Sequence, residues 1–189
     1  LVGNAQRLYL VRGAFDWRFS LPVVLGAIPG ALGGALIAAH TPSWLLQVAI
    51  LVATLAGLAK VVFRVSGTEP RSILGPGSAA VGFLSATTGG GGFLMGPLLL
   101  STGASGSLSI ATGASAGVAI HCLRITGDST AGLIDYSLLG QAALIATTIM
   151  CGNLVGRYIR VRMGAAKMLW LEYGAPAVCA MIASAGLLL

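Results

Sequence analysis

Charged residues are scarce in this sequence. Only 11 lysines and arginines and 5 aspartates and glutamates occur among its 189 residues. They make up 8% of the chain, whereas ordinary soluble domains contain about 25%. So few charged side chains cannot cover the surface of a water-soluble particle. The composition therefore excludes a cytosolic enzyme, a nucleic-acid-binding protein and a disordered chain.

Carboxylates are also missing from the centres of the apolar runs. Glu172 lies only a few residues into the last run, so the sequence gives no support for proton coupling through a buried carboxylate. The three cysteines, Cys122, Cys151 and Cys179, fall in apolar stretches and show no Cys/His spacing typical of zinc. The sequence predicts no metal site and no cofactor.

Apolar residues make up 56% of the chain and are grouped in long runs. A helix that rises ~1.5 Å per residue needs about 20 apolar residues to cross ~30 Å of hydrocarbon. Runs of this kind predict transmembrane helices at 19–39, 44–63, 107–123, 136–156 and 168–189. The predicted fold class is all-α, a polytopic transmembrane helix bundle.

One glycine-rich stretch differs from these runs. Residues 74–100 contain the sequence TTGGGG at 87–92, followed by Pro97. A glycine in a helix interior costs about 1 kcal/mol relative to alanine, so four in succession predict a break in the helix. The stretch is then either one broken span or a re-entrant hairpin. In both cases its free backbone groups must face protein or a water-filled cavity.

The basic residues indicate which arrangement to expect, because cytoplasmic loops are typically rich in lysine and arginine. If 74–100 returns to its own side, one face carries Arg7, Arg12, Arg18, Arg64, Arg71, Arg157, Arg160, Arg162 and Lys167. The other face then holds only His40, Arg124, Asp128 and Asp135. The charge distribution therefore favours the hairpin, with the basic face in the cytoplasm.

Two similar segments indicate an internal repeat. GAFDW begins at residue 13 and GLIDY at residue 132, and each precedes an apolar helix with glycines four residues apart. With a hairpin between them the two halves have opposite orientations, which is typical of secondary transporters. The predicted division is 1–63, the latter part of a first repeat with two transmembrane helices; 64–73, a cytoplasmic linker; and 74–189, a second repeat with the broken helix and three transmembrane helices. A second broken helix is expected before Leu1.

The glycine-rich break is the predicted binding site. Glycines let backbone N–H groups form a concave nest, and a half-helix beginning near residue 93 adds its positive dipole end, which suits a small anion. The candidate residues are Thr87, Thr88, Gly89, Gly90, Gly91, Gly92 and Phe93. The alternative is a close helix crossing in which glycine serves only packing.

The segment 111–117, ATGASAG, supplies a second group of candidates. Gly113 and Gly117 form a small-residue face that can pack against the glycine break, and Thr112 and Ser115 are candidates to face a substrate. Farther along, His121 and Arg124 are candidates for a protonatable gate and an anion attractor at a cavity mouth. The alternative for His121 and Arg124 is a helix end that reaches the membrane interface.

The same segment matches the GxSxG pattern of serine hydrolases, with His121 downstream. That motif needs a strand-to-helix elbow, whereas this run has helical character, so an intramembrane serine hydrolase is a minor alternative and no catalytic residue is predicted.

Elsewhere, Gly26, Gly30 and Gly34 predict a packing ridge that tolerates an added methyl group. Asp16 and Asp135 are expected to cap the helices that follow them.

Taken in order, these motifs resemble the sulfite exporter TauE/SafE family, also described as the sulfonate uptake permease group. The order is a glycine-rich break with a proline, an Ala-Thr-Gly helix, a Gly-x-x-Asp loop, and a glycine-spaced helix leading into arginines. The resemblance runs from about Gly75 to the end of the chain. Residues 1–63 resemble the latter part of the family's first half, with Asn4 in the stretch before its Gly-x-x-Asp loop. The family's first glycine-rich helix has no counterpart here.

The resemblance implies a multi-pass transporter of the bacterial inner membrane, built from two related halves. Its substrates would be sulfite, organosulfonates or similar small sulfur-containing anions, with export as the expected direction. The expected partners are the small anion and the lipid bilayer, with no nucleic acid, and a homo-oligomer is left open. An anion channel that uses the broken helix as a filter is the main alternative function.

Overall fold

The computed structural model describes residues 1–38, 69–88, 94–104, 106–130 and 139–163, with a few single or paired positions between 41 and 55 and at 137 and 178. These described residues form α-helices and short 3-10 turns and include no strand. The predicted all-α fold class is confirmed. The predicted spans 44–63 and 168–189 fall largely outside the described residues.

The described residues contain six α-helices. They are α1 (Val2–Leu10), α2 (Trp17–Ala38), α3 (Leu74–Thr88), α4 (Met95–Ser101), α5 (Gly106–Thr130) and α6 (Leu139–Arg162). Three stretches within them are long and apolar enough to cross a membrane, namely Trp17–Ile37, Gly106–Gly127 and Leu139–Arg162. These correspond to three of the predicted spans.

Two of these helices extend beyond their predicted ends. Helix α5 continues past Leu123 to Thr130, and α6 continues past Gly156 to Arg162. The predicted ends at residues 123 and 156 are therefore too early as helix ends. Arginines are favourable in the last turns of a helix, where they interact with the negative dipole end and their long side chains can reach the interface.

Helix α2 begins where an aspartate predicts it. The Asp16 carboxylate accepts a hydrogen bond from the backbone N–H of Arg18 at 2.9 Å, which is the geometry of an N-cap. Trp17, the first residue of the helix, is 69% exposed, as an aromatic side chain at a membrane interface would be. The capping role of Asp16 is confirmed, whereas Asp135 lies outside the described residues.

The glycine ridge of α2 packs directly on the backbone of α3. Gly26 lies against Gly75, Gly30 against Ala79 and Gly34 against Phe83. The residue numbers rise together, so the two helices run parallel and begin at the same end of the bundle. In agreement, the Arg71 guanidinium lies 5.5 Å from the centroid of the Phe19 ring. The packing ridge is confirmed, and because it meets backbone it has no flexible side chain that could make room.

Helices α3 and α4 form a hairpin. The backbone N–H of Glu69, just before α3, donates to the carbonyl oxygen of Ser101, the last residue of α4, at 3.0 Å. Farther in, a Cβ built on Gly77 would lie 2.6 Å from a methyl carbon of Leu98. The two ends of the glycine-rich stretch therefore meet, which is the arrangement that the charge distribution favours over a continuous span.

Helix α1 runs alongside α6 in the same direction. Gly3 contacts Ile149, Gln6 bonds to Met150 and Arg7 bonds to Asn153, so the numbers again rise together. Because α1 leads into α2, the arginines that end α6 lie toward the same end of the bundle as the starts of α2 and α3.

This arrangement predicts the sidedness of the basic segments. In a protein with its native cysteines replaced, Arg71→Cys and Arg162→Cys should react with a membrane-impermeant thiol reagent from the same side. Thr130→Cys is the matched control and should react from the opposite side. Helix α5 starts beside the end of α4 and is long enough to cross the membrane, so its last residue lies at the other end of the bundle. Reaction of positions 71 and 162 from opposite sides in labelled, sealed vesicles would contradict the hairpin topology.

Candidate functional site

The glycine-rich break falls between α3 and α4. Helix α3 ends at Thr88, and α4 begins at Met95 after Leu94. The Thr87 hydroxyl donates to backbone carbonyls of its own helix, at 3.0 Å from the oxygens of Phe83 and Leu84. The Thr88 side chain and residues 89–93, including Gly89, Gly90, Gly91, Gly92 and Phe93, lie outside the described residues. Their binding role stays a prediction.

The small-residue face of α5 meets two different partners. A Cβ on Gly113 would lie 3.6 Å from side-chain atoms of both Met95 and Leu99, so this turn packs on α4. One turn later, Gly117 contacts the carboxamide nitrogen of Asn4 on α1. The sequence predicted contact with the glycine break, most of which lies outside the described residues; the contact that the structure shows for Gly113 is with α4, just beyond the break. It gave no indication that α1 covers Gly117.

Thr112 is part of an interhelical hydrogen bond. Its hydroxyl oxygen lies 3.0 Å from that of Ser20, and both side chains are fully buried at 0% exposure. A buried hydroxyl without a partner costs about 1–3 kcal/mol, so this pair fixes α5 against the start of α2. The described position of Thr112 therefore shows a packing contact.

Ser115 lies within a regular helix. Its hydroxyl donates to the carbonyl oxygen of Thr112 at 2.8 Å, and His121 is carried by the same helix α5. No strand occurs among the described residues to build the elbow that a GxSxG nucleophile requires. The geometry therefore gives Ser115 none of the features of a hydrolase nucleophile.

His121 and Arg124 lie on α5 beyond the contact with α1. His121 is half-buried and Arg124 is exposed. Because the helix continues to Thr130, the interpretation of both residues as a helix end is wrong. At 100° per residue, Gly113, Gly117, His121 and Arg124 fall on one face of the helix. This face runs from the contact with α4 toward the end of the bundle that lies opposite the start of α3 and the end of α6.

A polar cluster on α1 and α6 was missed by the sequence analysis. Asn153 donates through its amide nitrogen to the carbonyl oxygen of Gly3 at 3.0 Å and to the side-chain oxygen of Gln6 at 2.9 Å. Its amide oxygen accepts from Nε of Arg7 at 2.7 Å. Gln6 also donates to the carbonyl oxygen of Met150 at 3.3 Å. The available signal was the carboxamide of Asn153 inside the apolar run 136–156, where polar side chains are usually functional.

Metal ligands are not grouped in the part of the chain that the structure describes. No set of three histidines, cysteines or carboxylates lies close enough to hold an ion there. The described cysteines, Cys122 and Cys151, are exposed and unpaired. The polar side chains that do converge, those of Asn153, Gln6 and Arg7, are hydrogen-bonded to one another.

The comparison with family models gives a match over most of the chain. A family model described as Sulfite exporter TauE/SafE matches residues 3–183. The chain belongs to the sulfite exporter TauE/SafE family. The match extends from the beginning of α1 to beyond the end of α6, so the resemblance noted in the sequence is confirmed. No curated protein and no solved structure shows significant similarity to the chain.

Membership of the TauE/SafE family makes the chain a multi-pass membrane transport protein. The long apolar helices α2, α5 and α6 are its described membrane-crossing candidates. Over the described residues, α3 has 15 residues and α4 has 7, fewer than the about 20 with which a single helix crosses a bilayer.

Proposed function

We propose that this TauE/SafE family member exports small sulfur-containing anions, such as sulfite or organosulfonates, across a bacterial inner membrane. The observation that carries the proposal is the α3–α4 hairpin, whose ends meet at the hydrogen bond between Glu69 and Ser101. We propose that the segment connecting these two helices enters the interior of the bundle. That segment is the glycine-rich sequence, and irregular backbone at such depth is tolerated where it lines a cavity.

The backbone N–H groups of residues 89–93 are the proposed anion donors. Glycines allow them to converge without side chains in the way, and each hydrogen bond to a charged oxygen contributes about 1.5–3 kcal/mol. Two or three such bonds are enough for a micromolar to millimolar site after the cost of association. The Gly113 face of α5 supports this segment by packing on Met95, two residues beyond Phe93.

The candidate residues of α5 have lesser roles in the proposal. Ser115 and Thr112 lie in the helix that supports the hairpin, and Thr112 acts through packing with Ser20. His121 and Arg124 lie farther along the same face, where a positive charge would speed the approach of an anion. No residue has a catalytic role, because transport needs no covalent step. The two inverted repeats, divided as in the sequence analysis, are part of the same proposal.

An anion panel tests the proposed substrate class. Purified full-length protein should be stabilised in a thermal-shift assay by sulfite, and by sulfate, taurine or sulfoacetate according to its specificity, but less by chloride. The measured quantity is the shift in Tm at matched ionic strength. Stabilisation by none of these anions, together with clear stabilisation by a cation or a neutral solute, would contradict the proposal.

Flux measurements separate the carrier from the channel alternative. In proteoliposomes, a carrier shows saturating sulfite flux that is accelerated by substrate on the opposite side. A channel shows no such acceleration by substrate on the opposite side.

A further inference from the structure

Two serines of α3 lie in a row along one face of the helix. Ser78 and Ser85 are seven residues apart, so they share a face and are separated by about 10 Å along the helix axis. The residues of α3 that meet the glycines of α2 are Gly75, Ala79 and Phe83. At 100° per residue the two serines lie about a quarter of a turn from this line of contact, so the backbone packing of α2 on α3 does not account for them.

Both serine hydroxyls are buried without a hydrogen-bond partner. Ser78 is 0% exposed and Ser85 is 9% exposed, and neither side-chain oxygen bonds to any residue that the structure describes. Other hydroxyls of these helices donate to a carbonyl oxygen about one turn back, as those of Thr87, Ser115 and Thr126 do. Ser78 and Ser85 leave this ordinary partner unused. Because an unpartnered buried hydroxyl is costly, the pair calls for a ligand.

The charges around this row suit an anion better than a cation. Arg71 lies seven residues before Ser78, in the short 3-10 turn that leads into α3. It is exposed, and its guanidinium lies 5.5 Å from the ring centroid of the buried Phe19. A positive charge at this end attracts anions. Helices α2, α3 and α4 contain no carboxylate that could neutralise a cation.

We propose that Ser78 and Ser85 are substrate-contacting residues, whose hydroxyls donate in turn to an oxygen of the anion as it moves along α3 from the end that carries Arg71. The inference rests on the proposed function and adds a route along described helices. A separation of about 10 Å exceeds the size of sulfite, so the two hydroxyls act one after the other.

The row is closed to solvent in the described arrangement, so the contact requires a movement of helices. The buried hydrogen bond between Ser20 and Thr112 joins α2 to α5 near the Arg71 end. Backbone packing holds α2 and α3 together, so α5 can move relative to the pair. Movement of one group of helices against another is typical of secondary transporters.

Alanine variants of the two serines separate substrate contact from packing. Because Ser78→Ala and Ser85→Ala each remove an unpartnered hydroxyl from an apolar core, Tm should stay unchanged or rise. The ratio of maximal rate to KM for sulfite should fall roughly tenfold in each variant, as expected for the loss of one hydrogen bond to a charged oxygen. The measurements are sulfite transport by the complete protein in proteoliposomes and Tm in detergent.

Two further variants are the controls. Ser20→Ala also removes a fully buried hydroxyl, but it leaves Thr112 without its partner, so Tm should fall. Thr148→Val removes an exposed hydroxyl that donates to the carbonyl oxygen of Leu144 at 2.9 Å on α6, and sulfite transport should stay close to that of the unaltered protein.

The outcomes separate this inference from the proposed function. If the unaltered protein carries no sulfite or other sulfur anion, both are overturned. If it carries sulfite and both serine variants keep the ratio of maximal rate to KM, only the role of the serines is overturned. A fall in Tm that matches the fall in transport would also overturn that role, because it would show packing alone.

Thermal shifts with separate salts test the charge of the ligand. Potassium sulfite should stabilise Ser78→Ala and Ser85→Ala less than the unaltered protein. If the variants instead keep the stabilisation by potassium sulfite and lose a stabilisation by sodium chloride, the hydroxyls bind a cation and the inference is overturned.

Discussion

Replacing Gly30 with alanine is expected to destabilise the bundle severely. A Cβ at this position would run into the carbonyl oxygen of Ala79 and also meet the Cα and carbonyl carbon of that residue. Backbone atoms cannot rotate away, so α2 and α3 must separate along their whole contact. Overpacking of this kind typically costs about 1–3 kcal/mol, and the helix separation should place Gly30→Ala at the upper end. Tm and the monodisperse fraction after detergent extraction measure the effect.

Gly33→Ala is the matched control for this prediction. Gly33 lies less than one turn away on the same helix, and its added Cβ would only touch a ring carbon of Phe83 at 3.9 Å, an ordinary contact distance. We expect its Tm to stay close to that of the unaltered protein. Equal behaviour of the two variants would mean that the backbone contact between α2 and α3 is looser than described.

Alanine at Gly90 or Gly91 is expected to reduce sulfite transport by about tenfold or more while the protein stays folded. A methyl group would block the approach of backbone N–H groups to the anion, and the loss of one charge-assisted hydrogen bond alone accounts for about a tenfold change. The measurement is sulfite flux in proteoliposomes, with Tm recorded in parallel.

The control for the glycine-rich segment is Gly96→Ala, because its added Cβ would have open space within 4 Å. Gly26, which the sequence suggested as a tolerant comparison, is unsuitable because its Cβ would meet the backbone of Gly75. A fall in Tm that matches the fall in flux for Gly90→Ala and Gly91→Ala would favour the packing alternative over anion binding.

Local chemistry explains why several elements were predictable. Asp16 caps α2 because its carboxylate reaches the N–H of a residue two positions ahead, a contact that depends on a few consecutive residues. The spacing of Gly26, Gly30 and Gly34 places all three on one helix face, so a packing ridge followed from the periodicity. The break between α3 and α4 followed from glycine's low helix propensity.

The contacts around Asn4 were not predictable in the same way. Asn153 meets Gly3 and Gln6, separated from it by most of the chain. A single carboxamide in an apolar run shows that a partner is needed, but it does not indicate which one. The ends of α5 and α6 were also misplaced, because Arg124 and Arg157 suggested interfaces where the helices in fact continue.

The sequence by itself determined that this chain is an all-α membrane protein with a helix broken at glycines, because composition, run length and helix propensity are properties of neighbouring residues. Its ordered motifs also determined the TauE/SafE family. Only the tertiary structure decided that Ser101 returns to Glu69, that the α2 ridge meets backbone rather than side chains, and that Asn4 stands beside Gly117. These facts depend on distances between segments far apart in the chain. Helix packing in a bilayer is driven by close backbone approach rather than by apolar burial, so the spacing of residues in one helix does not show which other helix it packs against.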